Sequence, residues 1–401
     1  MKRLFALVSA VALTSSPVFA RDGEGLEDMR KLQRREEDKE PHPVESSSTW
    51  RMGTFGYLRG VYEYTTPDKQ QRFIGRNNGF LLESARLGFE GKNAEYGFSF
   101  RLSIELASDA VTTSLDPRGE LEVRGRDGFL TWEPSSYVGV RLGQFRIPFS
   151  QEDLRGTPDL LFISRAVAQE GVLSGRGYAE PGIGVDREIG AMIASPKPIA
   201  LVSKMKIGYY LSVFNGNGRN QLVNDNNQPA FAGRIELAWS DIIQAGGALL
   251  YNPRTVGAQP DLYKETDQQW AADLLFTWQG LELFGQASAR TTTYNTVEGT
   301  PDRLQLGYHG QVGYKIKQLP IPLMPGYRYA VYDPWASGGG QSNDPLRRSL
   351  DRQKLQYHTF GVRAFHPALP VSAYVNYTLT IEEKPRQLSN DRLEVLAQLI
   401  F

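Results

Sequence analysis

Tyr96-Gly97-Phe98-Ser99-Phe100-Arg101-Leu102-Ser103-Ile104-Glu105-Leu106 alternates along its whole length: even positions are large and apolar, odd positions small, polar or charged. A period of two describes a strand with one greasy face and one wet face. A soluble sandwich would turn the greasy face toward a second sheet, and a membrane barrel would turn it toward lipid.

The same texture recurs outward from this segment. Val371, Ala373, Val375 and Tyr377 alternate with Ser372, Tyr374 and Asn376. Leu281, Leu283, Ala287 and Ala289 alternate with Glu282, Gln286, Ser288 and Arg290, and Leu393 to Phe401 repeats the pattern to the last residue. About sixteen strands are predicted: 50–64, 79–91, 95–107, 121–133, 137–147, 186–194, 204–214, 229–239, 243–252, 268–279, 281–291, 303–317, 323–333, 355–366, 369–380 and 391–401. Short turns (Asn93-Ala94, 133–137, Gln279-Gly280, Pro367-Ala368) alternate with long loops at 65–78, 108–120, 148–185, 215–228, 253–267, 292–302, 334–354 and 381–390. An up-and-down barrel requires that alternation and a soluble sandwich does not. The expected fold is all-β, an antiparallel transmembrane β-barrel of about 16 strands whose segments reach the ~9–11 residues a bilayer crossing needs.

Composition agrees. No stretch approaches the ~20 consecutive apolar residues of a membrane helix, mean hydropathy is −0.39 and 22% of residues are charged. There is no cysteine, and a closed hydrogen-bonded wall needs no covalent staple. Trp50, Tyr62, Tyr64, Trp132, Tyr137, Trp239, Tyr251, Trp270 and Trp278 fall near strand ends, as aromatic girdles at membrane interfaces do. A terminal aromatic, Phe401, on an alternating strand resembles the assembly signal of bacterial outer-membrane proteins.

The N-terminal region reads differently. Lys2 and Arg3, an apolar run from Leu4 to Leu13, and Val18-Phe19-Ala20 before Arg21-Asp22 form the pattern of a cleaved signal peptide over residues 1–20. Residues 21–49 are a charged segment, with Leu26, Met29 and Leu32 spaced for a short helix and Pro41, Pro43 and Ser46-Ser47-Ser48 behind it; the reading is a periplasmic spacer. The barrel then occupies 50–401.

Formal net charge is 0, which argues against nucleic-acid binding. Arginine outnumbers lysine 32 to 13, and arginines recur on the polar parity of strands: Arg59, Arg86, Arg101, Arg141, Arg234, Arg290, Arg328, Arg363 and Arg392. Facing lipid, each would cost ~2–4 kcal/mol at mid-membrane, so they are expected to point inward. With Arg146 and Arg165 they are the candidate pore-lining, anion-binding set, because guanidinium is permanently charged and forked for carboxylate and phosphate. The alternative is a neutralised wall, since Glu63, Glu90, Glu105, Glu236, Asp273, Glu282 and Glu394 share that parity. The longest loop, Pro148 to Glu180, carries Arg155, Arg165 and Arg176 and apolar anchors at 159–163 and Val172-Leu173; it is the candidate to fold inward as a constriction, the alternative being a surface loop.

Other chemistry is weak. His42, His309, His358 and His366 lack metal-ligand spacing, no Gly-x-Ser-x-Gly elbow occurs, Gly216-Asn217-Gly218 lacks the following helix of a nucleotide loop, and Gly338-Gly339-Gly340, among Ser, Asn and Asp, reads as a flexible loop. No catalytic residue, metal or cofactor is expected.

Arg86-Leu87-Gly88-Phe89-Glu90-Gly91, Arg141-Leu142-Gly143-Gln144-Phe145-Arg146-Ile147-Pro148-Phe149-Ser150, Asp159-Leu160-Leu161-Phe162-Ile163-Ser164-Arg165, Asp186-Arg187-Glu188-Ile189-Gly190 and Val213-Phe214-Asn215-Gly216-Asn217-Gly218 stand in order. Together they resemble the phosphate-selective porin O and P family over roughly residues 50–220. The resemblance implies a sixteen-stranded homotrimeric barrel in the outer-membrane lipids of Gram-negative bacteria, with inward-folded loops narrowing an arginine-lined channel for small anions. One departure matters: family members selective for phosphate cluster lysines near the channel mouth, and here Lys69, Lys264, Lys354 and Lys384 are isolated. Phosphate selectivity is therefore not carried over. The expected function is passive diffusion of small hydrophilic solutes with an anion preference. Two alternatives stand beside it: a barrel hydrolase using His309 or His358, and a structural or adhesion barrel plugged by its own loops.

Overall fold

A computed structural model describes residues 50–76, 78–108, 121–202, 204–258, 261–295, 302–337, 354–382 and 387–401. The expected signal peptide and spacer at 1–49, Gly338-Gly339-Gly340, and parts of the loops at 108–120, 292–302, 334–354 and 381–390 lie outside the described residues.

Sixteen antiparallel strands close on themselves. They are β1 (Trp50–Thr65), β2 (Gly79–Asn93), β3 (Phe98–Ser108), β4 (Leu121–Trp132), β5 (Gly139–Arg146) and β6 (Arg187–Ala194). β7 (Met205–Phe214), β8 (Ala230–Trp239), β9 (Ile243–Ala258), β10 (Asp261–Trp278) and β11 (Leu281–Tyr294) follow. β12 (Arg303–Tyr314), β13 (Leu323–Asp333), β14 (Leu355–Phe365), β15 (Val371–Glu382) and β16 (Arg392–Ile400) complete the wall. Each strand pairs with its sequence neighbour, and β1 pairs with β16 from Tyr57↔Ile400 to Thr65↔Arg392. Phe401 adds two backbone hydrogen bonds to Gly56, at 2.8 and 2.9 Å. Closure leaves no free sheet edge, which is what lets strands cross hydrocarbon.

The distribution of side chains is inverted relative to a soluble protein. Leu87, Leu102, Ile104, Leu211, Phe231, Leu249, Leu274, Val375 and Leu399 are exposed, while Arg86, Glu105, Arg234, Asp273, Thr378 and Gln398 are buried. Apolar residues form the outer belt and the polar set fills the interior. Trp132, Trp239 and Trp278 are exposed and stand beside short turns, so they mark one rim of the belt.

All sixteen strands occur where alternation places them, with two differences. The stretch 253–267, expected as a loop, continues the β9–β10 ladder to Ala258↔Asp261. Alternation persists there through charges: Arg254 meets Glu265 at 3.0 Å and Asp267 at 3.3 Å on one face, so no apolar row signals the strand. The turn after β2 is longer than Asn93-Ala94 and ends at Gly97, whose φ of +68° suits glycine.

Among the described residues two β-bulges break the period. In β2, Arg59 pairs with Ser84 and Gly60 with Leu82, leaving Glu83 without an opposite number. In β4, Leu102 pairs with Gly128 and Ile104 with Gly125, so Arg126 and Asp127 both oppose Ser103. A bulge re-aims the side chain at the extra residue. Both extra residues enter the lumen.

Candidate channel constriction

The chain between β5 and β6 folds into the barrel. It contains a short helix α1 (Gln151–Leu154), a 3-10 turn (Thr157–Asp159), a second short helix α2 (Val167–Glu170), and a two-residue ribbon pairing Gly171–Val172 with Glu180–Pro181. Leu160, Leu161, Phe162, Ile163, Val167, Ala168 and Val172 are buried, so the apolar anchors expected at 159–163 and 172 do dock inward. Phe162 lies under Arg328 at 4.7 Å, and Ile163 packs with Val61, Tyr374 and Leu396.

Polar bonds from the wall hold this segment. Arg59 donates to the Thr157 and Ile163 carbonyls at 3.0 and 2.8 Å, Arg234 to the Phe149 carbonyl at 3.1 Å, Arg328 to the Ser164 carbonyl at 2.9 Å and Arg363 to the Leu160 carbonyl at 3.3 Å. Arg290 reaches the Ile183 carbonyl at 3.1 Å, and Tyr374 the Pro158 carbonyl at 3.2 Å. Arg155 pairs with Glu282, and Arg176 with Glu63 and Glu394. An irregular segment inside a barrel must satisfy its backbone somewhere; these arginines do it.

The Gly-Gln-Phe-Arg-x-Pro-Phe-Ser stretch organises the entrance to the segment. Gly143 has φ +119°, and a Cβ there would sit 2.2 Å from the Gly128 carbonyl oxygen. Gln144 exchanges bonds with Asn220 at 2.9 and 3.0 Å, fixing the loop that carries Arg219. Arg146 donates to the Arg155 carbonyl at 2.8 Å, and Ser150 caps α1 through the Asp153 N–H at 3.1 Å.

Beside the segment lies a cavity of about 590 Å³. Among the described residues Arg86, Arg124, Arg126, Arg146, Arg165, Arg187, Arg219 and Arg290 line it, against Glu83, Glu105, Asp153, Glu170 and Asp186. Asp186 is the shared counter-ion of Arg126, Arg187 and Arg219 at 3.2, 3.1 and 3.0 Å. Burial opposes its ionisation, yet the guanidiniums of Arg187, Arg126, Arg146 and Arg219 hold its carboxyl well below the ordinary range. Asp153, a buried residue of α1, goes the other way: burial pushes its carboxyl up to about 6.

The eleven candidate arginines, nine read from parity and Arg146 and Arg165 beside them, thus occupy different settings. Arg86, Arg146, Arg165 and Arg290 reach the cavity. Arg59, Arg234, Arg328 and Arg363 are buried against the inward segment. Arg101 pairs with Glu90 at 2.7 Å, Arg392 with Glu394 at 3.1 Å, and Arg234 also with Asp273 at 2.7 Å. Arg141 lies 4.2 Å over the Phe129 ring and donates to Thr131 at 3.1 Å. Simple parity passes over Arg124 and Arg126, because the bulge shifts the phase: Leu130 and Trp132 are exposed, which assigns even positions to lipid. Arg187 and Arg219 sit at a strand end and in a loop, where no period applies.

The two strand histidines stand on opposite faces. His309 is buried inside, 3.7 Å from Glu152. His358 bonds the Tyr327 hydroxyl at 2.8 Å and lies 4.9 Å from the Tyr329 ring. Among the described residues no group of three or more His, Asp or Glu is arranged to hold a metal.

The profile of the phosphate-selective porin O and P family matches residues 57–298. The chain belongs to this family. It is an outer-membrane porin of the Gram-negative type, and family and fold point to a non-enzymatic channel. Among solved structures it is similar to the outer membrane channel DcaP of Acinetobacter baumannii, with TM-score 0.58 and 17% identity over 90% of this chain and 99% of that one. It is also similar to an anion-selective porin from Comamonas acidovorans, with TM-score 0.60 and 13% identity over 88% and 100%. A loop-deleted OmpT of Vibrio cholerae gives TM-score 0.56 and 10% identity over the same shares. At these identities the likeness is one of fold. No curated sequence matches significantly.

Proposed function

We propose that this porin passes small hydrophilic solutes with an anion preference, along the arginine-lined cavity beside the inward segment. The observation that carries the reading is the excess of guanidinium there: eight arginines face five carboxylates. Asp186 touches three of those arginines, of which Arg126 also meets Glu105 and Arg187 also meets Asp127 at 2.6 and 2.7 Å. A passing anion exchanges water for weak contacts at several fixed cations, which lowers its barrier without trapping it. Phosphate-like anions fit this chemistry, and so do chloride and carboxylates.

The arginines at the cavity, Arg86, Arg146, Arg165 and Arg290 with Arg124, Arg126, Arg187 and Arg219, are the proposed anion contacts. Arg59, Arg234, Arg328 and Arg363 act one step removed, as anchors of the constriction. The protein is proposed to work as a homotrimer in outer-membrane lipid, like other porins. Purified protein in a planar bilayer under a potassium chloride gradient tests the reading. A reversal potential on the chloride side supports it, and one near zero or on the potassium side contradicts it. A loop-plugged barrel would show no stable open steps in the same trace.

A further inference from the structure

The two bulges aim opposite charges into one cavity. The bulge in β4 turns Arg126 inward, and the bulge in β2 turns Glu83 inward. Glu83 keeps 31% of its side chain exposed to the lumen and Glu170 of α2 keeps 29%. Glu105 is different, clamped between Arg86 and Arg126 and almost fully covered.

Charge is divided between two sides. Near Glu83, the guanidiniums of Arg59, Arg176 and Arg392 serve four carboxylates: Glu63, Glu83, Glu170 and Glu394. Two nitrogens of Arg59 are engaged by backbone carbonyls as well. On the far side cations dominate, and Arg219 is 37% exposed beside Asp186. A simple anion crossing this space meets attraction at one side and repulsion at the other. A solute carrying an ammonium as well as an anionic group meets attraction at both. Glu83, Glu170, Arg126 and Arg219 all line this one cavity of about 590 Å³, which has room for a small amino acid.

We infer that this cavity is a recognition site for small anionic solutes that also carry an ammonium group, acidic amino acids being the simplest class. The anionic group lies at Arg126 and Arg219, and the ammonium at Glu83 and Glu170. The inference rests on the anion-permeable reading and adds a solute class to it.

Bi-ionic reversal potentials with the full-length protein in planar bilayers test it. Potassium L-glutamate and potassium monomethyl glutarate share a five-carbon backbone and one net negative charge; glutamate reaches it with two carboxylates and an ammonium, the ester with one carboxylate, and the double variant isolates the ammonium's share. Glutamate is expected to be about threefold more permeant relative to chloride, the size of effect a partly exposed charge contact gives. In the double variant Glu83→Gln with Glu170→Gln that advantage should vanish while chloride remains preferred over potassium. Equal permeabilities in the unmodified protein, which need no variant to fold, overturn the inference, as does an advantage that survives the double substitution. Absence of chloride preference over potassium on the same channels would instead overturn the anion reading beneath it.

Discussion

Arg126 grips Glu105 through two nitrogens, at 2.6 and 2.8 Å, and extends a third to Asp186 at 3.2 Å. Glu105 also accepts from Arg86 at 2.7 Å, so one carboxylate answers two guanidiniums. On the proposed anion reading, Arg126 is one of the fixed cations that a passing anion meets. Arg126→Gln is expected to move the reversal potential in a salt gradient toward zero, and Arg126→Gln with Arg219→Gln to move it further. Unchanged potentials in the folded variants would remove these arginines from the path.

The inward segment is held to the wall by buried pairs. Arg155 and Glu282 meet at 2.7 Å with 7% of each side chain exposed. Removing one partner leaves a charge with no compensation, at a cost of roughly 3 kcal/mol. Glu282→Gln should therefore loosen the inward segment, giving noisier single-channel currents and faster proteolysis within residues 148–185. Wild-type noise and protease resistance would show that the pair is dispensable.

Acidification should sharpen selectivity. Burial holds the Asp153 carboxyl up at about 6, so it is mostly ionised at pH 7.5 and mostly neutral at pH 5. Its protonation removes one negative charge from the cavity lining. Chloride preference should rise as pH falls through 6, and Asp153→Asn should show the low-pH preference at both values. A fall in chloride preference on acidification would contradict this.

Barrel closure depends on a close approach at the seam. A Cβ on Gly56 would lie 2.7 Å from the Phe401 ring and 2.4 Å from the Arg86 carbonyl oxygen. Gly56→Val is expected to prevent the last strand from seating. Loss of the heat-modifiable compact band on electrophoresis would register it, and normal heat-modifiability would count against it.

Much of the wall was legible because one physical rule, apolar out and polar in at period two, acts on every strand. Leu102 and Ile104 against Arg101 and Glu105 is that rule undisturbed. It fails where an extra residue resets the phase, as at Glu83 and Arg126, both of which line the cavity. It also cannot separate an arginine that meets solute from one that meets backbone. Arg328 and Arg86 share the same parity, yet Arg328 donates to the Ser164 carbonyl, a contact between residues 164 positions apart that no local pattern encodes. The inward segment itself could be inferred from its length and its apolar anchors. The β9–β10 extension could not, because charge pairs such as Arg254 with Glu265 replace the apolar row there.

The chain contains no cysteine, so a single introduced thiol reports on one place. Ser164, on the inward segment, lines the cavity. In Ser164→Cys channels, reaction with an anionic methanethiosulfonate reagent should lower the single-channel current stepwise and reduce chloride preference, while the unmodified protein does not respond. Full modification confirmed by mass, with current and selectivity unchanged, would mean that ions do not travel past the arginine-lined cavity.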